Sequence, residues 1–207
     1  MLSIYRDKIK PVDEVNYLIS LTDGFPEKHI KKWQRLNYVN SEYVYVVLNG
    51  EFEYRRIYDD LCLFTARNPF MFGITSIFND VGHVYGLARS ELIVRMIKKS
   101  EFIALLTQAN AWSQMTKILT WYLLVANKRD DILVARSAYD VIREFLLEIN
   151  DLIILGQHKI NIYDYIQEYT NLARSTIVKI LSELKRGEYI EVDKGHLIKI
   201  NSLPVKY

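Results

Sequence analysis

A single cysteine, Cys62, leaves no partner for an intramolecular disulfide and excludes a four-cysteine zinc or iron-sulfur site. That scarcity fits a reducing cytoplasm. Histidine is nearly as sparse: His29, His83, His158 and His196 are scattered, and no two stand at metal-ligand spacing. No Ser, Cys or Lys falls in a nucleophile motif. No metal, cofactor or catalytic residue is therefore expected, and the chain does not read as an enzyme. Long apolar runs are missing as well. The longest, residues 118–126, is far short of the roughly 20 residues that span a bilayer, and no charged-then-apolar leader opens the sequence. The expectation is a cytoplasmic protein with no membrane partner.

Charge is also in short supply, with a formal net of only +2. What excess exists is concentrated. From Lys159 to Lys206 there are eight cations against six anions, and residues 173–186 hold four cations and one acid. Any phosphate contact must come from a local patch, so one copy should bind a polyanion weakly and two copies better. Half of the residues are hydrophobic, which is enough for two cores and excludes a disordered chain.

The most informative stretch is residues 160–200. Ala173, Ile177, Ile180, Leu181 and Leu184 recur at helical spacing and form an apolar face. Arg174, Ser175, Val178, Lys179 and Ser182 fall on the opposite face. A cation at the helix start and small polar residues behind it suit a helix that sits deep in a DNA groove. A shorter helix at about residues 163–169 and the turn Thr170-Asn171-Leu172 precede it. Gly187 ends it, residues 189–192 are strand-like, Asp193-Lys194-Gly195 is a hairpin turn, and residues 196–200 return as a second strand. Together these elements make a winged helix-turn-helix. A winged helix that holds another protein is the alternative.

Earlier in the chain, Pro11-Val12-Asp13-Glu14 opens a helix with Val12, Val15, Leu18 and Ile19 toward a core. Lys28, His29, Lys31, Lys32 and Arg35 cluster around Trp33, as a solvated face or an auxiliary phosphate contact. From Glu42 the pattern becomes extended. Residues 43–48, 51–58, 61–65 and 87–97 read as strands, with turns at Asn49-Gly50, Asp59-Asp60 and Asn68-Pro69. Residues 70–78 read as a buried apolar stretch containing Gly73. An antiparallel β-roll follows from this. Cys62, among Leu61, Leu63 and Phe64, suits a buried thiol, with redox sensing as the alternative.

Ser100 is placed to cap a helix at 102–107, and a long helix starts near Ala111. Trp112, Met115, Leu119, Tyr122 and Ala126 are spaced three, four, three and four apart, a heptad seam for a second helix. Ile118, Trp121 and Val125 make another side apolar, so one face should meet the β-roll and the other a second copy of the chain, with the central helix of a monomeric core as the alternative. A helix at 138–150 leads to Gly156 and the carboxy-terminal module. The fold class is α+β. Residues 1–108 form a sensor-like β-roll with amino-terminal helices, 109–135 a dimerisation helix, and 136–207 a winged helix-turn-helix.

This arrangement resembles the Crp/Fnr superfamily of transcription regulators, most specifically through LARSTIVKILSEL at 172–184. YDVIREFLLEI, YIQEYTNLARSTI and GEYIEVDKGHLIKI are similar to its enterobacterial branch named for inhibiting hydrogen-peroxide resistance. The resemblance implies a homodimer on promoter or operator DNA, RNA polymerase as a further partner, and a link to oxidative stress. It gives Arg174 and Lys179 the role of base readers, Ser175 a base-facing position and Thr176 a phosphate contact. Val178 and Ser182 complete the DNA-facing set. Arg can fork onto guanine O6 and N7, and Val178 could meet a thymine methyl, with burial against the wing as the alternative. Gln167 stands where such motifs have Ala or Gly, and Asn171 where a turn Gly is common.

The cyclic-nucleotide-binding-like roll departs from its family. The phosphate cassette has Gly-Glu, then Arg followed by Ser or Thr. An ungapped alignment puts Gly73-Ile74 and Gly82-His83 there. A buried cyclic phosphate would lack its cation unless His83 or Arg89 supplied one. The expectation is a roll without cyclic nucleotide, with a different effector as the alternative.

Overall fold

The computed structural model describes residues 2–36, 41–67, 69–79, 82–157 and 159–205. Asn68, His158 and Lys206, named above, lie outside them. The chain divides into two compact units, Ile9–Leu123 and a second made of Met1–Lys8 with Leu124–Tyr207. The division falls inside the long helix, and the first helix, α1 (Leu2–Lys8), goes with the carboxy-terminal unit.

In Ile9–Leu123, α2 (Val12–Ser20) buries Val15 and Leu18 and leaves Val12 exposed. Then come β1 (Glu27–Ile30), β2 (Arg35–Leu36), β3 (Tyr43–Asn49), β4 (Glu51–Arg56), β5 (Cys62–Arg67) and β6 (Phe70–Phe72). A 3-10 turn, Ile74–Ser76, follows, and β7 (Val84–Ala88), β8 (Leu92–Lys98) and α3 (Lys99–Gln108) lead to α4 (Trp112–Leu133). Among the described residues all strand pairs are antiparallel, in the orders β1-β8-β3-β6 and β2-β7-β4-β5. This is the expected β-roll.

Strand alternation decides what fills it. On β4, Phe52 and Tyr54 point to one side and Glu53 and Arg55 to the other. Phe52 meets Phe70 edge-on at 5.2 Å, and Tyr54 stacks on Phe64 at 4.7 Å and meets Phe72 at 4.9 Å. Phe52, Phe70 and Phe72 are fully buried, each contributing about 2 to 3 kcal/mol of apolar transfer. Trp121 and Tyr122 of α4 join this cluster, Trp121 against Phe70 at 5.6 Å. The Tyr122 hydroxyl donates to the Met71 carbonyl at 2.5 Å. Cys62 is buried and forms no disulfide.

Several expectations need correction here. Residues 87–97 are parts of two strands, because the chain turns at Ser90-Glu91. Phe78 is exposed and stacks on Trp112 at 5.9 Å instead of entering the core. Lys98, not Ser100, precedes the first turn of α3, and no side chain caps it.

In the other unit, α5 (Ala138–Ile154) starts with a capping box. Asp140 N–H donates to Ser137 Oγ at 3.1 Å, and Ser137 N–H to Asp140 Oδ2 at 3.3 Å. Its apolar face buries Val141, Ile142, Phe145, Leu146, Ile149 and Leu152. Against it pack α6 (Ile162–Tyr169), α7 (Arg174–Arg186) and the hairpin β9 (Ile190–Asp193) with β10 (His196–Ile200). Glu148, a buried carboxylate on α5, accepts from the Leu2 N–H at 3.0 Å, the Ser3 N–H at 2.8 Å and the Ser3 hydroxyl. It thus takes up two amide donors that the first turn of a helix leaves over, and ties α1 to α5.

Candidate nucleic-acid interface

The sequence of α6 and α7 explains their packing. Asn161 caps α6 by accepting from Tyr163 N–H at 3.0 Å and Asp164 N–H at 3.3 Å. Ile162 and Ile166 are buried below it. Thr170 closes the helix by donating its hydroxyl to the Ile166 carbonyl at 2.7 Å, and accepts from Leu172 N–H at 3.3 Å. The chain then turns through Ala173 into α7, whose Ile177, Leu181 and Leu184 are buried. Ala173, expected on the apolar face, is exposed as the residue before the helix, and Ile180 is half-buried.

The opposite face of α7 is open. Arg174, Ser175, Val178, Lys179 and Ser182 are all exposed and form one stripe along the helix, while Thr176 is half-buried on its flank. Val178 is 41% exposed, so it is not covered by the wing. No acid lies in the stripe, and the helix starts there, so unpaired amide donors add positive potential beside Arg174.

The wing is fastened to the start of α6. The β9–β10 turn uses left-handed backbone at Lys194 (φ 46°) and Gly195 (φ 83°). The Gly195 carbonyl accepts from Ile162 N–H at 2.9 Å, and His196 Nδ1 lies 3.0 Å from the Ile160 carbonyl. A methyl group on Gly195 would stand 2.5 Å from Asn161 Nδ2.

One feature of this surface was not legible in the sequence. The guanidinium of Arg174 donates through Nη1 to Gln167 Oε1 at 2.7 Å and to Asp164 Oδ1 at 3.1 Å. Gln167 is the residue that departs from the small side chain expected there. Spacings of seven and ten across a turn belong to no regular period, which is why pattern reading misses the contact.

The five residues of the expected dimer seam do not form one free surface. Met115 is fully buried within its own chain, Tyr122 is engaged with Met71 and the aromatic cluster, Leu119 is half-buried, Trp112 carries Phe78, and Ala126 is exposed. The exposed large apolar residues of α4 are Leu123 and Leu124, at 60% and 43%. A neighbouring stripe at heptad spacing, Trp112, Thr116, Leu119, Leu123 and Ala126, is half-buried or exposed throughout.

In the roll, Gly73 has φ 88° and begins the 3-10 turn, and Ile74 is buried. His83 is exposed. Arg89 lies at Glu53, with Nε 2.9 Å from Oε1, and its guanidinium is 4.6 Å from the Trp33 ring centroid. Glu53 belongs to the face of β4 opposite the aromatic cluster, so Arg89 does not supply a cation to the interior. Three of the five residues clustered around Trp33 have local partners: Lys32 lies over Trp33 at 5.0 Å, Arg35 over Tyr85 at 4.4 Å, and His29 against Glu91 at 3.0 Å. Among the described residues no His, Cys, Asp or Glu group could hold a metal ion, and no helix is long and apolar enough to cross a membrane.

Comparison with known proteins agrees with this geometry. Residues 138–205 match the family described as winged helix-turn-helix DNA binding, and that module is what α5 to β10 form. The whole chain has the fold of the Crp/Fnr regulators. It superimposes on CLP of Xanthomonas campestris, described as a c-di-GMP-responsive global regulator, with a TM-score of 0.70 at 13% identity, covering 90% of this chain and 100% of that one. A regulator assigned to the Crp/Fnr family from Eubacterium rectale gives 0.68 at 16% identity, covering 91% and 90%. In sequence, the chain is similar to the "Inhibitor of hydrogen peroxide resistance" of Salmonella typhimurium, 29% identical over 169 residues, 81% of each chain.

Proposed function

We propose that this protein is a homodimeric, sequence-specific regulator of transcription that places α7 in the DNA major groove. The observation that carries the reading is the exposed stripe Arg174, Ser175, Val178, Lys179 and Ser182 on a helix whose other face is buried. Arg174 and Lys179 read base edges, Ser175 and Ser182 face bases, Val178 meets a thymine methyl, and Thr176 touches a phosphate. Two copies associate through the α4 stripe of Trp112, Thr116, Leu119, Leu123 and Ala126. At a promoter the dimer would meet RNA polymerase. The protein performs no catalysis and takes no cofactor. Its relative's name supports a role in the response to peroxide.

The β-roll acts without cyclic nucleotide. Supporting this are the missing Glu and Arg of the cassette, at Ile74 and His83, and an interior occupied by Phe52, Tyr54, Phe64, Phe70, Phe72 and Tyr122. The test is fluorescence anisotropy on DNA from the gene's own upstream region and on a scrambled duplex, with salt varied. Specific binding should need no added small molecule and should weaken steeply with salt, by about 0.9 in log–log slope per phosphate neutralised. Arg174→Ala should lose about 1 to 3 kcal/mol on the specific duplex. No binding to any duplex at low salt would overturn the reading in favour of a protein partner.

A further inference from the structure

The α6 surface beside Arg174 has chemistry that a bare reading helix does not need. Asp164 and Gln167 are three residues apart on α6 and so share a face, and both accept from the same atom, Nη1 of Arg174. Among the described residues, Nε and Nη2 meet no hydrogen-bond partner. The guanidinium is thus tied at one corner and open along the edge that presents two parallel N–H groups, the edge that matches guanine O6 and N7. An arginine side chain loses much rotamer freedom when it is fixed on a base, and a fork already held loses less. Asp164 also sets a negative charge next to the groove-facing stripe, opposing approach to phosphate wherever no base edge rewards it.

We propose that Asp164 and Gln167 are specificity-determining positioning residues: they orient Arg174 for one base and penalise DNA that lacks it. This rests on the reading of α7 as the DNA-contacting helix. Because both partners are more than half exposed, at 56% and 66% for the ion pair, the effect is a tuning of discrimination and not of folding.

The test uses the full-length protein and a duplex recovered by selection from a random-sequence pool. Each base pair is then substituted in turn, and the affinity ratio of the selected to the substituted duplex is measured for wild type, Arg174→Ala, Asp164→Asn, Gln167→Ala and the Asp164→Asn/Gln167→Ala pair. At the position whose discrimination Arg174→Ala abolishes, each single α6 variant should lower the ratio about two- to fivefold, and the pair by more. Affinity for random DNA should hold or rise in the Asp164→Asn protein. In the Arg174→Ala background the α6 variants should have no further effect at that position, a coupling that a merely structural role would not give. Thermal midpoints should match wild type.

If Arg174→Ala abolishes discrimination but the folded α6 pair retains it in full, the positioning role is refuted and the DNA reading stands. If Arg174→Ala leaves discrimination unchanged at every base pair, the assignment of Arg174 fails, and this inference with it.

Discussion

Leu123 offers the sharpest test of the proposed dimer, because the structure distinguishes it from its neighbour. It is 60% exposed on the stripe that Leu119 and Ala126 continue, while Leu124, 43% exposed, projects from the helix about 100° away. Burying a leucine side chain completely contributes about 1.5 to 3 kcal/mol, so covering the exposed part of Leu123 contributes about 1 to 2 kcal/mol per chain. A twofold dimer contains the residue twice, which makes about 2 to 4 kcal/mol. Leu123→Ala should therefore raise the dimer dissociation constant by roughly 30- to 1000-fold, while Leu124→Ala should change it little. Sedimentation equilibrium over a range of concentrations measures both, and the thermal midpoint at a concentration where all proteins are monomeric checks that the fold is intact. Equal dissociation constants for wild type and Leu123→Ala, or a larger effect at Leu124, would refute the proposed seam.

Other consequences follow from particular contacts. Ser137→Ala removes half of the capping box of α5 and should cost about 1 kcal/mol, read as a lowered midpoint in thermal or urea unfolding. Gly195→Ala meets both a left-handed backbone and a clash with Asn161, so amide exchange in β9 and β10 should accelerate and DNA affinity should fall. Gly24→Ala, which meets nothing within 4 Å, should be silent in both measurements. Burial, and then the hydrogen bond to Asp60, push the Tyr85 phenol up to about 12. A folded-state value above the ordinary one of about 10 means that the folded protein holds its proton more tightly. This contribution to stability is complete below pH ~10 and is lost as pH rises toward 12. Tyr85→Phe should therefore flatten that part of the alkaline stability profile, and an unchanged slope in urea unfolding between pH 10 and 12 would contradict the assignment.

What the sequence disclosed depended on whether its signals were local. In α7, Ile177, Leu181 and Leu184 recur at one period and Gly187 follows, so helix, buried face and open face could all be read. The β4 alternation of Phe52, Glu53, Tyr54 and Arg55 placed its strand in the same way. By contrast, α1 is seven residues long and has no acid in its first turn, β1 is exposed at three of four positions, and β2 has two residues, so none carries a pattern above its surroundings. The open face of α4 was hard to read for another reason. Periodicity finds the apolar faces of a helix that has two, but which face the fold consumes depends on the β-roll packed against it, and Met115 and Tyr122 went inward. Among the site residues, the Arg174 stripe was legible from helical spacing. Its two partners on α6 were not, because they meet it only through the geometry of the turn.

The hold of Glu148 on the first turn of α1 spans 146 residues of chain, and this sets a timetable for synthesis. A ribosome adds about 5 to 20 residues per second, so α1 waits roughly 7 to 30 seconds before its anchor exists. Throughout that interval Leu2 and its neighbours are without the surface that later covers them, and the intervening roll has time to fold first. A module made late thus recovers residues made 146 positions earlier. A fragment beginning at Ser137 would carry every residue of the DNA-facing stripe, yet it would expose the Glu148 carboxylate without the amide donors that justify its burial.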